Sequence, residues 1–108
     1  MNMQSIYKSD GRYLRVSRPN LHRDGLKAIA NRNKHGVAFE LACQVFFDPS
    51  QESEDASVEG EHRLALIGAT LQDHLLYVVH LERAGLHIRI ISARKATLRQ
   101  RNLYEDGR

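Results

Sequence analysis

Residues 88–105 read I-R-I-I-S-A-R-K-A-T-L-R-Q-R-N-L-Y-E, and positions 89–99 hold four cations, Arg89, Arg94, Lys95 and Arg99, with no acid among them. Guanidinium groups offer planar pairs of donors that match phosphate oxygens, and they stay charged at any physiological pH. An apolar strand that runs straight into a helix start would hold such groups on a rigid base. The chemistry this points to is binding of a phosphate-rich partner.

The wider charge pattern points the same way. Six acids (Asp48, Glu52, Glu54, Asp55, Glu59 and Glu61) fall within residues 48–61 with no Lys or Arg between them, so a net charge of +3 leaves +9 on the rest of the chain. That imbalance suits a polyanion, most of all nucleic acid, but charge by itself does not decide between that partner and a plain solvated basic surface. The six histidines form no metal motif: there is no H-x-x-x-H or C-x-x-C pair, and His22, His62, His74 and His80 fall on separate elements. No metal and no cofactor are expected. A Gly-rich nucleotide loop, a serine-nucleophile motif and an internal repeat are likewise missing from the sequence.

A chain of 108 residues has room for one domain with a single modest core. Hydrophobic residues make up 42% but form no long run, and the polar first segment carries Lys8, Arg12, Arg15 and Arg18, so neither a membrane span nor a signal peptide is expected. The expected location is the cytoplasm, with no membrane partner. The single Cys43 cannot form an internal disulfide, which agrees with a reducing compartment.

These cations need elements to position them. Residues 1–19 mix Gly, Ser, Arg and Tyr without a period and end at Pro19, which predicts a loosely attached arm with a short strand near residues 13–16, ahead of a domain over 20–108. Leu26, Ile29 and Ala30 predict a helix over 24–33, capped by Asp24 and stopped near Gly36. Phe39, Ala42, Cys43 and Phe46 recur at i, i+3, i+4 and i+7, predicting a second helix over 38–47 that Asp48-Pro49 ends. The acidic stretch 50–60 reads as a mobile loop.

Three strands are expected at 62–70, 75–82 and 86–93. Their links, at Gln72-Asp73 and Ala84-Gly85, are too short for parallel crossovers, so they form an antiparallel meander. In the third strand Leu86, Ile88 and Ile90 face one way and His87, Arg89 and Ile91 the other. Thr97 with Gln100 makes a capping box that opens a closing helix, weakly amphipathic and placed over a sheet edge, with Gly107 past its end. The fold class is α+β: an antiparallel three- to four-stranded meander sheet with two N-terminal helices and a C-terminal helix.

Several of these segments carry a family resemblance. N31-R-N-K-H-G-V-A-F39, Phe46 with D48-P49, G60-E-H-R63, I67-G68, L75-L-Y-V-V79 and I88-R-I-I-S-A-R-K-A-T97 with Tyr104 together resemble the BrnT family of bacterial toxins over residues 24–105. The resemblance implies a RelE-like fold and a ribonuclease toxin of a type II toxin-antitoxin module. It implies metal-independent endonucleolytic cleavage of RNA that inhibits translation. The implied partner is a BrnA-like antitoxin with a ribbon-helix-helix DNA-binding domain, through which alone operator DNA is contacted. Where such sequences carry an aromatic-acid-Trp-Asp element, this chain has Leu21, His22, Arg23 and Asp24.

On that resemblance the site can be assigned. Metal-free scission of RNA needs the ribose 2′-hydroxyl deprotonated, the phosphate stabilised as charge builds, and the leaving 5′-oxygen protonated. His35 or Glu61 is assigned as base or acid, and Arg63 and Arg94, aided by Arg89, as the phosphate holders. Lys34, Lys95, Arg99 and Tyr104 are assigned to RNA binding. The alternative, prompted by Arg23 at the Trp position, is a catalytically inactive homologue that binds antitoxin or RNA. Each residue also has a structural reading: Lys34 and His35 suit a helix C-terminus, Glu61 and Arg63 can pair with each other, and Tyr104 can pack.

Overall fold

Alternating apolar residues and short links generate a sheet, and the sheet decides where Arg63, Arg89 and Arg94 lie. The computed structural model describes residues 4–9, 12–17, 24–83 and 87–107, with the side chains of 30–82 and 88–107. Pro19, Leu21, His22, Arg23, the Ala84-Gly85 link, Leu86 and the cap side chain of Asp24 lie outside the described residues.

In chain order the elements are β1 (Gln4–Ser9), β2 (Arg12–Ser17), α1 (Asp24–His35), α2 (Phe39–Ala42), a 3-10 segment (Cys43–Phe47), β3 (Glu52–Asp55), β4 (Leu64–Ala69), β5 (Leu75–Arg83), β6 (His87–Lys95) and α3 (Leu98–Asp106). Strands β3 to β6 form a four-stranded antiparallel meander, giving an α+β fold with a C-terminal helix. The sheet has six strands in the order β1-β2-β6-β5-β4-β3.

The N-terminal residues and the acidic stretch both differ from the expectations. The first residues carry a hairpin, β1 with β2, and β2 pairs in parallel with β6 through Arg15↔His87 and Val16↔Ile88, instead of forming a loose arm with one short strand. The acidic stretch read as a mobile loop contains β3, which pairs with β4 from Glu52↔Ile67 to Asp55↔Leu64. A half-exposed edge strand needs no apolar face, so E-S-E-D can pair through its backbone alone.

The second expected helix is one α turn that tightens into the 3-10 segment. At three residues per turn Val45 comes onto the line of Ala42, whereas an α-helix would rotate it well away from the Phe39–Ala42–Cys43 stripe. The tightening buries Ala42, Cys43 and Val45 together. Val45 then presses on β4 at Gly68, where an added Cβ would stand 2.9 Å from the Val45 Cβ.

The two sheet faces bury different groups. Val37, Phe39, Ala42, Cys43 and Val45 pack on Leu66, Leu76, Val78, Ile88, Ile90 and Ala93. On the opposite face α3 places Tyr104 against Ile67 and Leu75, with Tyr77 and Ala96 beside them. Helix α3 therefore covers part of a face, not an edge. No described helix is long and apolar enough to cross a membrane.

Helix α1 is locked to the sheet by one buried side chain. Asn31 donates through Nδ2 to the carbonyls of Ala93 (2.8 Å) and Val37 (3.0 Å), and its Oδ1 accepts from the Ala93 N–H at 3.0 Å. It occupies the β6 edge as a neighbouring strand would. Gly36, at φ +70°, turns the chain out of α1, its N–H donating to the Arg32 carbonyl.

Candidate functional site

On a regular strand Arg89 and Arg94 have opposite parity and would project from opposite faces. They do not, because β6 carries a bulge: Val79 pairs with Ser92 and His80 with Ile90, so Ile91 is left over. Ile88 and Ile90 before it and Ala93 after it all enter the same core. Arg89 and Arg94 consequently share the α3 face.

That face reads as rows across the sheet. Tyr77 stands between Ile67 and Arg94, Val79 between Ala65 and Ser92, and Leu81 beside Arg89. On β3, Glu54 lies opposite Ala65. Arg63, one step before β4 and bonded through its carbonyl to the Ala56 N–H, continues the same alternation. Arg63 and Ile67 are four residues apart, so the Arg63 and Arg94 ends are separated by about 13 Å along the strands.

The Arg94 end is tightly organised. The Arg94 guanidinium lies over the Tyr77 ring, 4.4 Å from its centroid. Its Nη1 donates to Gln100 Oε1 (3.1 Å) and to the Lys95 carbonyl (3.2 Å). Gln100 Oε1 also accepts from the Thr97 N–H at 2.9 Å, while the Gln100 N–H donates to Thr97 Oγ1. The capping box that starts α3 is thus also the clamp on Arg94.

Glu54 reaches into the same cluster from β3. Its Oε1 accepts from the Tyr77 hydroxyl (3.0 Å) and from Arg99 Nη2 (3.1 Å). The Arg99 hydrogen bond holds the Glu54 carboxyl below the usual range in spite of partial burial, with help from Tyr77 and Arg94. Burial, and then Glu54, push the Tyr77 phenol upward, so that group stays a donor.

The other end is a pinned loop. Gly60 at φ +81° makes the turn that bridges Val58 to Glu61, and Arg63 Nε donates to Glu61 Oε1. Ser57 accepts from the Arg63 N–H at 3.1 Å and donates to Asp55 Oδ1 at 2.6 Å. That bond lowers the Asp55 pKa. Arg63 is thereby held both through its backbone and through its side chain.

The remaining assigned residues are less concentrated. Lys34 and His35 close the last turn of α1, exposed and half-buried respectively, and no hydrogen bond or ion pair joins them to the arginine face among the described residues. Their link to it is Asn31, bonded to Ala93 next to Arg94. Lys95 is exposed. Tyr104 is buried, and its hydroxyl donates to Asp48 Oδ2 at 2.6 Å. Asp48 Oδ2 also accepts from the Ala69 N–H, tying α3 to β4.

Glu54, Tyr77, Gln100 and Asn31 escaped the sequence reading. Gln100 was visible only as a cap, and the hydrogen bond that joins Glu54 to Tyr77 has no signal in a strand read as a loop.

The family model described as "Ribonuclease toxin, BrnT, of type II toxin-antitoxin system" matches residues 24–100. The chain belongs to the BrnT family. The match spans α1, the bulged β6 and the clamp at Gln100, the parts that build the arginine face. As a BrnT-family chain it is a ribonuclease toxin of a type II toxin-antitoxin system, which implies an antitoxin partner. No curated protein matches it.

Proposed function

We propose that this BrnT-family chain is a metal-independent endoribonuclease that cuts RNA, inhibits translation and is neutralised by a BrnA-like antitoxin with a ribbon-helix-helix domain. The observation that carries the reading is the immobilised Arg94 guanidinium on a face it shares with Arg63 and Arg89. A fixed guanidinium stabilises the charge that develops on a phosphate under attack without having to reorganise.

In this reading Arg94 holds the scissile phosphate, Arg63 holds another phosphate of the same strand, and Arg89, Arg99, Lys95 and Lys34 guide the strand. His35 or Glu61 serves as base or acid, taking the 2′-hydroxyl proton or protonating the leaving 5′-oxygen. Tyr104 contributes by fixing α3, and with it Arg99 and Gln100. The resemblance to RelE-like folds belongs to the same proposal, supported by the meander and its helices.

A binding-only homologue is favoured by one specific observation: Glu61 and Glu54 are already paired with arginines. Incubating purified protein with RNA in excess EDTA separates the readings. The proposal expects internal cuts, and their loss on adding the antitoxin. Binding without cuts supports the alternative.

A further inference from the structure

We propose that Glu54 makes the Arg94–Arg99 end of the face selective for singly charged phosphodiesters over phosphate ends; the inference rests on the ribonuclease reading above. Two guanidiniums and one carboxylate are assembled there. Arg99 Nη2 stands 3.1 Å from Glu54 Oε1, Tyr77 bonds the same oxygen at 3.0 Å, and Arg94 lies on the Tyr77 ring. The cluster therefore carries a net +1. A phosphodiester carries one negative charge, whereas a terminal phosphate carries about −1.5 to −2 at neutral pH.

Glu54 cannot easily leave. Its side chain is 28% exposed and bonded on two sides, while the Arg99 side chain is 63% exposed. An anion arriving at Arg94 recruits Arg99 by swinging it away from an exposed pair, and such pairs are weak. The carboxylate stays behind on Tyr77 and repels a second negative charge. The neighbouring acid of β3, Glu52, lies against Gly107 at the far end of α3.

As a general base Glu54 is poorly suited, because Arg99 and Tyr77 both stabilise its ionised form and weaken it as a proton acceptor. Its role is to set charge and position. The site thus selects the interior of an RNA strand over its phosphorylated ends.

The test compares wild type with Glu54→Gln on a labelled 2′-O-methyl oligoribonucleotide, which cannot be cut, with and without a 5′-phosphate. Wild type should bind both forms equally. E54Q should bind more tightly and prefer the phosphorylated form by up to about fivefold, the scale of an exposed charge interaction.

Equal preference in both proteins overturns the inference. A wild type that does not cut RNA overturns the ribonuclease reading instead. The charge rule is then read by NMR titration of both proteins with inorganic phosphate and dimethyl phosphate, and an unchanged ratio overturns it.

Discussion

Arg94 rests on Tyr77, with the guanidinium carbon 4.4 Å from the ring centroid, and both residues occupy paired positions on adjacent strands. The ring orients the plane of the guanidinium, and Gln100 fixes its rotation. Stacking of this kind is worth about 0.5–2 kcal/mol and is specific to a planar cation.

Tyr77 acts through its ring. Tyr77→Phe should keep cleavage within about threefold of wild type, because the stacked face remains and only the bond to Glu54 is lost. Tyr77→Leu should slow cleavage by about tenfold or more by freeing Arg94. Single-turnover assays on both variants check the contrast, and equal losses would assign the effect to the hydroxyl.

The Glu54 ion pair makes stability depend on pH with a definite sign. The folded-state pKa of Glu54 is lowered, chiefly by the Arg99 hydrogen bond, so its contribution is complete above the unfolded value and disappears as pH falls through the folded one. Urea unfolding should therefore show wild type more stable than Glu54→Gln at neutral pH, with the gap closing on acidification below the usual carboxylate range. A gap that widens on acidification would contradict the assignment.

Asn31 belongs to the most recognisable motif of the sequence, yet its role is mechanical. Asn31→Ala leaves the N–H and carbonyl of Ala93 and the carbonyl of Val37 without their side-chain partner. The expected loss is about 2–4 kcal/mol in urea denaturation. Asn31→Asp should not rescue it, because a carboxylate cannot donate to the two carbonyls.

Gly68→Ala tests the contact between the 3-10 segment and β4. The new Cβ would meet the Val45 Cβ at 2.9 Å and the Val45 carbonyl oxygen at 3.1 Å. The expected destabilisation is about 1–3 kcal/mol. Pairing the change with Val45→Ala should recover part of it, read as the non-additivity of the two midpoint shifts.

How much of this was legible in the sequence depends on which signals have a period. Strands β4 to β6 and the Thr97–Gln100 cap announce themselves by alternation and spacing, as does the stop at Gly36. The bulge at Ile91 does not, since one extra residue in an apolar run leaves no mark. Yet it is the bulge that puts Arg89 and Arg94 on one face. Strand β3 was hidden for a different reason: its acids look like loop composition until the strand pairs with β4 and the Glu54 side chain reaches Tyr77 and Arg99. The 3-10 tightening was hidden because Val45 is off the α-helical stripe and reaches the core only through a change of pitch.

The most direct measurement is cleavage of RNA in excess EDTA by wild type, Arg94→Lys and Arg94→Ala, each first shown to be folded by circular dichroism. The role proposed for Arg94 is that of a planar, immobilised guanidinium that stabilises the reacting phosphate by more than positive charge alone. It predicts internal cuts by wild type and a fall of about 100-fold or more in both variants, with RNA binding only slightly weakened in Arg94→Lys. Full cleavage by folded Arg94→Ala, or full rescue by lysine, would contradict it.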